Sequence, residues 1–94
     1  MYVDAKKIQL RLYDTFSLKD KRSVIKSIIH KVQNKFNISI SEVADHDMLN
    51  KATLGIAIVS NSHQHNNQSI SSLIDFIENT YEVELITTED YFDL

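Results

Sequence analysis

Ile8, Leu10 and Leu12 alternate with Lys7, Gln9, Arg11 and Tyr13, the period-two spacing that sets one face of a strand on a core and the other in water. The next apolar set, Leu18, Ile25, Ile28, Ile29, Val32 and Phe36, recurs at helical spacing, so residues 18–36 are predicted to form one amphipathic helix. Ser17 marks its start as N-cap, with Asp20 in the position of a weak capping box. Ile38 and Ile40 alternate with Ser39 and Ser41 in a second strand that runs to about residue 44, and the polar DHDMLN of residues 45–50 reads as a hairpin loop. Residues 52–60, ATLGIAIVS, are apolar on both parities, as expected of a central strand. Residues 61–79 form a second predicted helix with Ile70, Leu73, Ile74 and Ile77 on its buried face. Its first turns, HQHNNQS, are polar, and Asn66 stands where that face would take an apolar residue, so those turns are expected to fray. Val83 and Leu85 alternate with Glu82 and Glu84 in a last strand; TTEDYFDL, residues 87–94, reads as an acidic tail with two aromatics, free to be flexible.

The order strand, helix, strand, strand, helix, strand is most economically solved as an α+β, ferredoxin-like βαββαβ sandwich. Such a sandwich is a four-stranded antiparallel sheet with both helices on one face. The first and third strands are then central and the second and fourth are edges. Ninety-four residues suffice for one such domain, spanning 1–94, and no linker or repeat divides it.

Composition narrows the chemistry. With no cysteine there are no disulfides and no thiolate metal sites, which fits a reducing, cytoplasmic setting. The longest apolar run, LGIAIV, is far too short to span a bilayer, so no membrane role is expected. Charge is split along the chain: residues 1–51 hold all ten Lys and Arg against six acids, whereas residues 52–94 hold seven acids and no base. Such a division points to a polyanion or to a complementary protein surface as partner.

Three segments, SLKDKRSVIKSIIHKVQNKFNISISEV, LGIAIVSN and LIDFIEN, resemble the bacterial YlxP-like proteins. These carry a SLK(E/D)KR signature after the first strand and a segment matching Asn34-Lys35-Phe36-Asn37-Ile38-Ser39 after the first helix. The resemblance covers nearly the whole chain and implies a ferredoxin-like fold with no established activity. It also implies a setting near translation, because the family's genes often neighbour those of initiation factor two and a ribosome-binding factor. Leu49 and Lys51 stand where family members often have tryptophan and arginine, which would weaken any partner contact made by that tryptophan.

Lys19, Lys21, Arg22 and Lys26 are the first candidate site. Near a helix N-terminus each base opposes the macrodipole, at a cost of a few tenths to about 1 kcal/mol, and residues kept at a local cost invite a functional explanation. Free amides at that terminus beside these cations would suit a phosphate, against the alternative of a solvated helix flank whose long side chains cover the core edge. That the phosphate belongs to ribosomal RNA or a ribosomal subunit, held by its backbone, is what the resemblance implies. Lys31 and Lys35 lie on the other flank, where charge near a helix C-terminus needs no such explanation. The open sheet face is the second candidate. Arg11 and Tyr13 from the first strand and Ala57 and Val59 from the third are placed there, with Thr53 and Gly55. The third strand offers no aromatic for base stacking, so the alternative is a homo-oligomer, a homodimer packed sheet to sheet or copies paired head to tail through the basic/acidic charge split. His46, His63 and His65 read as surface histidines rather than metal ligands. No glycine-rich loop, nucleophile elbow or cofactor motif is present in the sequence, so neither catalytic residues nor cofactors are expected.

Overall fold

The computed structural model describes residues 1–91. Its elements run β1 (Tyr2–Leu12), α1 (Leu18–Lys35), β2 (Ser39–Ala44), β3 (Lys51–Ser60), α2 (His63–Thr80) and β4 (Val83–Asp90). The strands form one antiparallel sheet in the order β2-β3-β1-β4. This is the ferredoxin-like sandwich, with β1 and β3 central as the apolar pattern requires.

One face of the sheet carries the inward rows Ile8, Leu10 and Leu12 of β1 and Ala52, Leu54, Ile56 and Ile58 of β3. These pack with Ile25, Ile28 and Val32 of α1 and Ile70, Leu73 and Ile77 of α2. Burying each such Ile or Leu contributes about 1.5–3 kcal/mol. α1 rests on the β2 side of the sheet, whereas α2 packs across β1, β3 and β4. The charge split along the chain therefore becomes a split in space, with acidic β4 at the edge remote from α1.

Two bulges explain where the alternation of the edge strands becomes hard to follow. Leu85 pairs with Leu10 and Thr87 with Gln9, so Ile86 is extra in β4 and shifts the inward–outward phase of the residues after it. Thr87–Asp90, expected from the pattern to begin a tail, continue β4 and pair with β1. Their strand end is tied by ion pairs from Lys6 to Asp90 at 2.7 Å and Lys7 to Glu89 at 3.2 Å. Residues 92–94 of that tail lie outside the described residues. In β2 the extra residue is Val43, between Glu42 opposite Leu54 and Ala44 opposite Thr53.

Val43 also explains the single glycine. A Cβ added to Gly55 would stand 2.9 Å from Val43 Cγ1, too close for two carbons. Gly55→Ala is expected to destabilise the protein by about 1 kcal/mol, and Val43→Ala in the same chain to relieve most of that. Chemical denaturation of the single and double variants checks both; additive losses would contradict the clash.

The first turn of α2 does not fray. Ser62 caps it by accepting from the His65 amide at 3.1 Å. Asn66 is fully buried and satisfied there: its Nδ2 donates to Asp4 Oδ2 at 2.8 Å and to the Tyr2 carbonyl at 3.3 Å, and its Oδ1 accepts from Ser60 Oγ at 2.7 Å. Asn66 thus joins the start of β1 to the end of β3 through hydrogen bonds an apolar residue could not make. His63 completes the junction, with Nδ1 2.8 Å from Asp4 Oδ2 and its ring 4.3 Å from that of Tyr2. Hydrogen bonds from His63 and Asn66 hold the Asp4 carboxyl below the usual carboxylate range.

Candidate nucleic-acid interface

α1 begins at a Ser17 N-cap, with Asp20 reaching back past it. Ser17 Oγ accepts from the Asp20 amide at 3.0 Å, and the Asp20 carboxylate accepts from the Phe16 amide at 3.3 Å. Ser17 thus takes up the Asp20 amide, and the Asp20 carboxylate, held just before the cap, offsets the positive helix end.

Lys21 is removed from the candidate set. Its side chain is 1% exposed, and its Nζ donates to the carbonyl oxygens of Asp45 at 2.5 Å and His46 at 3.4 Å. Glu42 Oε2 stands 3.2 Å from the same ammonium, but outside hydrogen-bonding geometry, so that contact is an ion pair by proximity. Lys21 is thus an internal strut from α1 to the β2–β3 loop, and its charge is not offered to a ligand. The sequence held a signal for this. Lys21, Ile25, Ile28 and Val32 are spaced four, three and four apart, which puts the lysine on the apolar seam rather than on its flank.

The loop that receives Lys21 is itself braced. Asp45 adopts a left-handed backbone (φ 59°), which Asp tolerates better than most residues, and its carbonyl also accepts from the Met48 amide at 3.1 Å. Thr53 Oγ1 donates to Asp45 Oδ2, and Lys51 Nζ lies 3.8 Å from the same oxygen. The Thr53 hydrogen bond, followed by the nearby lysines, holds the Asp45 carboxyl below the usual carboxylate range against the opposing effect of desolvation. A carboxylate more acidic folded than unfolded adds stability above its unfolded pKa, and that stability is lost as pH falls through the folded value. The melting-temperature gap between wild type and Asp45→Asn should accordingly be widest near neutrality and close below about pH 4. A gap constant from acid to neutral pH would contradict this assignment.

Three of the four candidate cations remain at the surface. Lys19, Arg22 and Lys26 are exposed along one flank of α1, and among the described residues no carboxylate lies within ion-pairing distance of them. From Lys19 to Lys26 the helix rises about 10 Å, roughly three phosphates of one nucleic-acid strand. Arg22 and Lys26, with His30 and Gln33, form one wall of an open groove of about 830 Å³. Ser41 and Glu42 of the β2 edge form the other wall, and Ile25 and Ile29 line the space between. The opposite flank is accounted for within the fold: Lys31 Nζ lies 5.5 Å from the Tyr81 ring centre and Lys35 Nζ 5.1 Å from that of Phe76. Both cations cover aromatics between the helices.

On the open sheet face the four candidate residues divide. Ala57 and Val59 point outward from β3, half-buried and half-exposed respectively. Arg11 stands opposite Glu84, and the Tyr13 hydroxyl donates to Glu84 Oε1 at 3.2 Å. Desolvation, then the Glu84 carboxylate, push the Tyr13 phenol above its ordinary pKa. Arg11 and Tyr13 thus belong to a polar column along β1 and β4, separate from the apolar one on β3.

Residues 3–90 match the family model described as a protein of unknown function, DUF503. The chain belongs to the DUF503 family. It is 42% identical over 82 residues to the "Uncharacterized protein YlxP" of Bacillus subtilis (strain 168), covering 86% of this chain and 89% of that one. All six elements lie within or overlap the DUF503 match, and so do Lys21 and the α1 stripe. Among solved structures, the solution NMR structure of a de novo designed protein with a ferredoxin fold superposes with a TM-score of 0.69. The two are 12% identical, with all of this chain and 88% of the other covered. That likeness concerns the fold alone. Among the described residues of this DUF503 chain, no helix is long and apolar enough to cross a membrane.

Proposed function

We propose that the protein is a non-catalytic, cytoplasmic RNA-binding factor that grips phosphate backbone through Lys19, Arg22 and Lys26, with ribosomal RNA or a ribosomal subunit as its target. One observation supports this above all. Of the six bases on α1, Lys21 is buried as a strut and Lys31 and Lys35 sit over aromatics, which leaves only this stripe without an intramolecular partner among the described residues. Like charges three and four residues apart repel by a few tenths of a kcal/mol in the free protein, a cost that a polyanion removes. The acids of α2 and β4 repel the same polyanion elsewhere on the surface and so orient it toward α1.

Phosphate contacts position an RNA without reading its sequence. Binding should therefore be weak, tolerant of sequence and salt-sensitive, with dissociation constants of about 1–100 μM as for other non-specific contacts. Fluorescence anisotropy of a labelled ribosomal RNA fragment titrated with protein in low salt tests it. Binding in that range is expected; no binding at any attainable concentration in low salt would retire the reading.

A further inference from the structure

Antiparallel sheets with one solvated face ordinarily turn polar residues outward. At one end of the two central strands of this sheet the outward positions are apolar, before Lys7, Gln9 and Arg11 continue the outward row of β1. Val59 of β3 pairs across the ladder with Val3 of β1, and Ala57 with Ala5, so four apolar side chains form a block on the two central strands. Beside it Gly55 lies at the base of a shallow trough of about 460 Å³, bordered by Val43 from the β2 bulge and by Tyr91, whose amide donates to the Ala5 carbonyl. Val3, Val43, Val59 and Tyr91 are each about half exposed, and among the described residues nothing in the fold covers them. The α1 and α2 helices occupy the far face of the sheet.

We propose that this face is an interface between two copies of the chain, the apolar block of each seated on the open sheet of the other. Charge supports a second copy over a charged partner. Lys7 is paired with Glu89 at 3.2 Å and Arg11 stands opposite Glu84, so the polar column beside the block is already balanced. A self-complementary interface places the same surface on both sides, and a balanced face meets its copy without a net like-charge penalty. Lys7, the cation of this outward face nearest the block, is already paired with Glu89, and the exposed Arg11 lies at the other end of β1.

Size sets the strength. Four strands of 11, 6, 10 and 8 residues, about 4.8 Å apart, present roughly 550 Å² per copy, below the ~800 Å² per partner of a standard stable interface. The dimer is consequently at the weak, concentration-dependent end of specific interfaces. Both α1 stripes remain on its outer surfaces, so the inference stands or falls separately from RNA binding.

Sedimentation velocity across about 1 μM to 1 mM protein tests it, the range over which a weak dimer dissociates. The wild type should move from the 10.9 kDa monomer toward twice that mass. Val59→Glu and Val3→Glu, both at exposed positions, should stay monomeric with unchanged circular dichroism, while Lys26→Glu on the far face should dimerise like wild type. A wild type that remains monomeric throughout overturns the proposal. So does a dimer that survives both valine substitutions, or one that Lys26→Glu abolishes.

Discussion

Lys21→Met should cost about 3 kcal/mol of stability and lower the melting temperature by roughly 10–20 °C in a domain of this size. The substitution keeps the length of the apolar stem but removes an ammonium that is 1% exposed. The carbonyls of Asp45 and His46 lose their donor, and Glu42, with a side chain only 16% exposed, loses its counter-charge. An ion of a partly buried pair left without its partner is much more costly than the absence of the pair. Glu42→Leu should therefore be damaging in wild type yet mild or even favourable beside Lys21→Met, with a coupling of about 1 kcal/mol or more. Urea denaturation of the four chains measures this directly. A loss under about 1 kcal/mol for Lys21→Met would mean that the strut is dispensable.

The second large effect falls on binding rather than stability. Replacing Lys19, Arg22 and Lys26 together by Glu should weaken RNA binding at least about 100-fold in low salt. Three charge-assisted contacts at about 1 kcal/mol net or more each amount to that factor. The fold should not suffer, because all three side chains are exposed and Lys19→Glu puts an acid in the first turn, where the helix dipole favours it. Reversing Lys31 and Lys35 should act the other way round. Losing two cation–π contacts costs about 0.5–1 kcal/mol of stability each, while RNA affinity changes only through long-range repulsion. Equal losses of affinity from the two flanks would assign binding to net charge instead of to the stripe.

The fold is legible because its central elements keep simple periods. Alternation in β1, the two-parity apolar run of β3 and the helical spacing of α1 and α2 each report burial that one chain segment establishes by itself. Reading becomes harder where a side chain serves a distant partner. Asn66 resembles a flaw in α2 because its partners, Asp4 and Tyr2, are some sixty residues away. Ile86 shifts the alternation of β4 by one residue, so Thr87–Asp90 resemble a tail until paired with β1.

The basic signature is only partly legible for the same reason. Composition and dipole reasoning isolate the cluster at the start of α1, yet they treat Lys21 like its neighbours. Its place on the apolar seam distinguishes it, but the Asp45 and His46 carbonyls that make burial tolerable come from a loop that sequence shows only as polar. The candidate site thus loses one cation to the fold and keeps three, of which Arg22 and Lys26 border the groove beside β2.

The direct test of backbone binding by that stripe is the salt dependence of RNA affinity, for wild type and for the chain with Lys19, Arg22 and Lys26 all changed to Gln. Three phosphate contacts predict that log K falls against log salt with a slope of about −2 to −3 in wild type and close to zero in the variant. A wild-type affinity indifferent to salt, or a slope that the three substitutions leave unchanged, would contradict it.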